Sequence, residues 1–115
     1  KLYNTKLEKF SKNENESLQF YDDLNTKSSL EMVTRLNESI IPKWQENIAI
    51  IESANQITNL PAELLQQNEI LLEYSRLRIE AFELFKKAIV LDTEIYEKEL
   101  EEIHVKIDEQ LSKLN

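Results

Sequence analysis

Glycine and cysteine are both absent from this chain, proline occurs twice, and histidine, tryptophan and methionine occur once each. Each absence removes a class of structure. Glycine is the usual residue of left-handed turns, two-residue hairpins and phosphate-cradling loops. A P-loop, a dinucleotide-binding fingerprint and a glycine-flanked nucleophilic serine are therefore excluded. Without cysteine there is no disulfide, no thiolate metal site and no Cys–His nucleophile. No apolar run approaches the roughly 20 residues of a membrane span. Ile40-Ile41 and Ile48-Ala49-Ile50-Ile51 are the longest apolar clusters, and charges flank both.

Basic residues are also in short supply, 14 against 22 acidic ones, for a net charge of −8. Such a surface repels phosphate backbones and anionic headgroups, so nucleic acid is not an expected partner. The chain opens Lys-Leu-Tyr, without an initiator methionine or a signal-like segment, the pattern expected of a piece of a longer protein. The compartment is undetermined, with membrane association through another part of that protein as one option.

What remains is rich in Leu, Ile, Glu, Lys, Asn and Gln, and apolar residues recur at spacings of three and four. The fold class expected is all-α, a single antiparallel bundle over residues 1–115. The first helix spans about 2–24, with Leu7, Phe10, Leu18, Tyr21 and Leu24 inward and a polar stretch at 11–16. A turn follows at 22–27. Ser28 and Glu31 have capping-box spacing, and open a helix over 29–55 with a stripe at Leu30, Val33, Leu36, Ile40, Trp44, Ile48 and Ile51. Pro42 lies inside that helix, where a missing donor and a clash with the carbonyl four residues back predict a kink, a full break with a new helix at Pro42 being the alternative. A short helix at 61–67 follows Pro61, with Asn68 as cap of the next element, and spacing alone does not separate this from 61–67 being the start of that element.

That element, 68–114, contains no proline, and its periodicity predicts one long helix of roughly 70 Å. Its stripe runs Ile70, Tyr74, Leu77, Ala81, Phe85, Ala88 and Ile95, then shifts to Tyr96, Leu100, Ile103, Ile107, Leu111 and Leu114. The shift falls at Asp92-Thr93, which reads either as a stutter in a continuous helix or as a break giving a four-helix bundle. Continuity is the expectation, because no glycine or proline turns the chain there.

Chemistry-bearing groups are sparse. Glu101-x-x-His104 has the spacing of one half of a di-metal carboxylate site, but His104 is the only histidine, so a second half requires a second copy. The carboxylates between Asp92 and Glu109 lack the glycine-containing turn of a calcium loop and read as a solvated face. Arg76 and Arg78, beside Tyr74, either hold an anion or form ion pairs with Glu73, Glu80 and Glu83 along one helix. Trp44 is either core or, if exposed, part of a partner surface. Trp44, Tyr74, Arg76 and Arg78 are thus the candidate polar cluster or partner surface. No catalytic residue, cofactor or metal is expected. The function expected is a non-catalytic accessory or interaction domain that docks a protein or itself. A small-ligand or metal-binding bundle is the alternative.

Three groups of residues carry a resemblance. They are Glu16-Ser17-Leu18-Gln19-Phe20-Tyr21 with Trp44-Gln45-Glu46-Asn47-Ile48, then Leu60-Pro61-x-x-Leu64 with Asn68 and Leu72-x-Tyr74-x-x-Leu77-Arg78-Ile79. The third is Phe82-Glu83-Leu84 through Lys87-Ala88-Ile89, with Asp92-Thr93-x-x-Tyr96 and Ile107 to Leu114. Together, from Glu14 onward, they resemble the soluble helical tail of some bacterial rhomboid-family membrane proteins. Rhomboids keep their catalytic serine and histidine on membrane helices, so no catalytic residue carries over. The resemblance implies a non-catalytic domain beside the membrane, serving substrate recruitment, regulation or self-association.

Overall fold

The computed structural model describes residues 2–114, and every regular element among them is helical. α1 (Leu2–Leu18) tightens into a 3-10 turn (Gln19–Asp23). α2 (Ser29–Arg35), a π turn (Leu36–Ile40) and α3 (Ile41–Ala54) run on as one helical rod. α4 (Ala62–Leu91) and α5 (Glu97–Ser112) complete the bundle. α4 is the central element and packs against α3, α5 and α2, while α1 lies on α3. The molecule measures 49 × 25 × 19 Å, and α4 alone spans about 45 Å of the long axis.

The first two rods follow the sequence pattern. Ser28 Oγ accepts the Glu31 amide at 3.2 Å, and the Ser28 amide donates to Glu31 Oε1 at 3.2 Å, closing the capping box. Those bonds hold the exposed Glu31 carboxyl below its ordinary range, the Ser28 amide being the larger cause. Pro42 lies early in α3, directly after the π turn. The Ile41 amide reaches Leu36 O, five residues back, so the widened turn absorbs the bond and the space that proline would disturb. Leu30 departs from the expected stripe: it is 77% exposed, and the fully buried positions of this rod begin at Leu36.

Two expectations about the second half are overturned. Residues 61–67 are not a separate helix. Ala62 starts α4 directly after extended Pro61, and the Leu64 and Leu65 amides both reach Pro61 O. Asn68 is accordingly no cap. Its amide side chain is buried between Tyr3 and Asn55, so it does not compete with the helix backbone.

The long helix is not continuous either. α4 ends at Leu91, Asp92 turns left-handed at φ 49°, and α5 starts at Glu97. The Thr93 amide bonds Ala88 O at 3.1 Å and the Asp92 amide bonds Ile89 O at 3.1 Å, the paired bonds of a Schellman ending. Thr93 Oγ1 then accepts the Ile95 amide. The four-helix arrangement is the one adopted. Among the described residues the other positive φ lies at Asn59, between α3 and α4. A chain with no glycine thus makes both left-handed turns with Asn and Asp, the side chains that tolerate that region best after glycine.

This turn is testable. Asp92→Gly should leave stability unchanged or raise it by up to about 1 kcal/mol, whereas Asp92→Val should lower it by about 1–2 kcal/mol, the left-handed cost of a branched residue. Urea unfolding of the two variants measures this. Equal stability would mean that Asp92 is not held left-handed.

Candidate functional site

Three of the four singled-out side chains meet inside the bundle. Trp44, on α3, is 0% exposed and Tyr74, on α4, is 1% exposed. Their rings meet edge to face at 5.3 Å, and Phe10 from α1 closes on the indole at 5.9 Å. Arg78, one turn after Tyr74, is 8% exposed and lays its guanidinium 5.3 Å from the Tyr74 ring centre. Arg76 faces outward on the next column of α4 and pairs with Glu73 at 3.8 Å. Of the ion pairs expected along α4, Arg76 makes the one with Glu73, and Arg78 takes another partner.

That partner is the Tyr74 hydroxyl. Arg78 Nε donates to it at 3.3 Å, and the hydroxyl in turn donates to Glu14 Oε2 from α1. The tyrosine relays an ion pair between a buried cation and a half-buried carboxylate. Burial pushes the Tyr74 phenol well above its ordinary range. The Arg78 cation offsets part of that rise, and the bond and charge of Glu14 add to it.

Buried amides extend the network on either side. Trp44 Nε1 donates to Ser17 Oγ at 2.8 Å, and that hydroxyl donates to Glu14 O at 2.8 Å. Asn13 Nδ2 bonds Asn47 Oδ1 at 3.0 Å and Glu46 Oε1 at 2.7 Å. Tyr3 donates to Asn68 Oδ1 at 2.8 Å, and Asn68 donates to Asn55 Oδ1 at 2.8 Å. Among the described residues every buried side-chain nitrogen and oxygen has a partner. These groups are consumed in holding α1 to α3 and α4, which is what buried polar groups must do to offset desolvation. Sequence reading missed Asn13 and Asn47, because asparagine amid polar neighbours reads as surface or turn, and it gave Asn68 the role of a cap.

His104 sits at the edge of this region, half-buried. Its Nδ1 lies 2.9 Å from Leu100 O, so Nδ1 carries the proton, and Nε2 lies 3.5 Å from the Tyr21 hydroxyl. Glu101 is exposed. Among the described residues no three His, Cys, Asp or Glu side chains are grouped to hold a metal ion.

Tyr3, Tyr21 and Tyr74 share a consequence. Burial is the largest cause in each and raises all three phenols, with Gln67 offsetting it at Tyr3 and Arg78 at Tyr21. A raised folded value means that the native state holds these protons more tightly than the unfolded chain. Their contribution is complete below the unfolded value of about 10 and is lost as pH climbs beyond it. Urea midpoints should fall steeply above about pH 10, and Tyr74→Phe should flatten that fall. The chain has four tyrosines, so tyrosinate absorbance from more than one of them that appears without unfolding would show that burial does not hold these protons.

The open surface lies elsewhere, where α4 hands over to α5. A groove of about 700 Å³ runs there between Ser29 and Met32 of α2 and Glu97 and Leu100 of α5. Its floor is the last two turns of α4, Phe85, Ala88 and Ile89, and its rim carries Asp92, Glu94 and Glu97. Leu30 and Ile95, next in sequence to the groove residues Ser29 and Glu94, are 77% and 75% exposed, and Val90 and Leu91 are exposed near the same end of α4. Among the described residues no helix is long and apolar enough to cross a membrane. Compared with family models, curated proteins and solved structures, the chain matches none.

Proposed function

We propose that this chain is a non-catalytic helical accessory domain that docks a protein partner through the end of the bundle where α4 turns into α5. The observation that carries this reading is the half-buried apolar floor of Phe85, Ala88 and Ile89, open to the groove, with exposed Leu30 and Ile95 next in sequence to the groove residues Ser29 and Glu94. Apolar side chains gathered at one end of a small domain are the usual mark of a contact surface. The buried hydroxyls, amides and His104 are tied to one another, which supports an architectural role for them. The resemblance to rhomboid-associated tails supports placing the domain in a membrane-associated bacterial protein, where it would recruit or regulate.

Site-specific photocrosslinking tests the docking face. A crosslinking amino acid at Leu30 or Ile95 should yield one discrete adduct in native cells, while the same group at exposed Glu52 on α3 should not. No adduct from either groove position, or identical adducts from Glu52, overturns the assignment.

A further inference from the structure

The groove also has a chemistry that selects its occupant. Phe85, Ala88, Ile89 and Asp92 follow i, i+3, i+4, i+7 spacing, so its floor is one face of α4. α2 flanks that face on one side and the first turn of α5 on the other, leaving the position of one more helix unfilled. From residue 85 to 92 the floor rises about 10 Å, enough for two turns of a partner helix. The side chains lining it include three carboxylates and no lysine or arginine. Lys86 and Lys87, on the same stretch of α4, are engaged by Glu83 at 2.9 Å and by the Tyr96 ring at 5.4 Å. The hollow at the opposite end of α4, between Glu63, Gln67, Gln110 and Lys113, is polar with mixed charge and lacks this combination.

Resting on the docking role proposed above, we infer that this groove takes a short basic amphipathic helix, its apolar residues on the α4 floor and its lysines or arginines against Asp92, Glu94 and Glu97. An apolar seam flanked by acid is complementary to a helix with an apolar stripe and basic edges. A second copy of this chain is disfavoured, because both copies would bring acidic rims to the contact and each carries a net charge of −8.

The probe is a fluorescent leucine–lysine peptide of about 14 residues with leucines at i, i+3, i+4 and i+7, read by anisotropy. Two comparison peptides replace lysine by glutamate or scatter the leucines. The first peptide should bind, the glutamate peptide should not, and scattering should weaken binding at least about fivefold. The Asp92→Asn/Glu94→Gln/Glu97→Gln protein should lose about tenfold at low salt, with a shallower salt dependence. A distant set of the same charge change, Glu8→Gln/Glu52→Gln/Glu63→Gln, should lose less than about twofold. Circular dichroism checks that each variant folds. Equal loss from both sets, or equal binding of the scattered peptide, means diffuse attraction and overturns the inference. A dimer in light scattering that is dissolved by Ala88→Gln also overturns it, in favour of a second copy. If the peptide fails while Leu30 and Ile95 still crosslink a partner, the docking role stands and the basic helix does not. If the crosslinks fail too, both fall.

Discussion

Trp44→Ala should cost about 3–5 kcal/mol, the range for emptying a large aromatic site. Three independent contacts end on this side chain. Its ring meets Phe10 at 5.9 Å and Tyr74 at 5.3 Å, both near 88°, and its Nε1 donates to Ser17 Oγ at 2.8 Å. The indole therefore joins α1 to α4 across α3, and alanine leaves a cavity bordered by three helices that cannot all move inward together. For a domain of this size, with a typical stability of about 5–15 kcal/mol, that loss removes much of the margin. Trp44→Phe separates the parts. It keeps most of the ring contact and deletes only the donor to Ser17, whose own hydroxyl still donates to Glu14 O. About 1–2 kcal/mol is expected from that single lost bond. Exposed Leu30→Ala should stay within about 0.5 kcal/mol. Urea titrations followed by far-ultraviolet circular dichroism measure all three. A Trp44→Ala cost no larger than that of Leu30→Ala would mean that the indole is not the joint between the rods.

The same joint shows where sequence reading succeeds and where it stops. Helical spacing, two prolines and no glycine were sufficient for an all-α bundle, for the Ser28–Glu31 cap and for Pro42 lying within a rod. These are local matters, decided within one or two turns. Asp92 is local too, yet spacing could not separate a stutter from a left-handed ending. The apolar stripe shifts phase in both, and only the dihedral of one residue differs. Ile95 was counted inside the stripe for that reason and stands 75% exposed beside the turn. The polar stretch at 11–16 was harder. Asn13 and Glu14 look like solvated helix surface until Asn47 and Tyr74, 34 and 60 residues away, are brought against them. No periodicity encodes such a pairing. The candidate cluster was therefore half legible: Tyr74 and Arg78 stood out as a dense pair on one helix, while the carboxylate that completes them belongs to another. The end groove was illegible for a related reason, since it exists only because the chain turns at Asp92.

Tyr74→Phe should cost about 2–4 kcal/mol even though the ring stays in place, because it takes the Nε acceptor from a buried cation. Arg78 is 8% exposed, and its Nε loses the hydroxyl that accepts it. Glu14 loses its donor at the same time but is only half-buried and can turn toward water. The cost thus falls mainly on the arginine, and this makes the relay separable from simple packing. Arg78→Met removes the charge and keeps a long apolar stem on Tyr74. In the Tyr74→Phe/Arg78→Met double variant no cation remains to lose that acceptor. Its cost should therefore fall short of the sum of the single costs by about 1–3 kcal/mol, the coupling expected of groups in one hydrogen-bond network. Glu14→Gln, which leaves the phenol an uncharged acceptor, should cost less than Tyr74→Phe. Additivity of the two single changes within about 0.5 kcal/mol would remove the relay. Tyr74 and Arg78 would then be neighbours that merely pack, and the polar tie between α1 and α4 would rest on Tyr3 with Asn68 and Gln67.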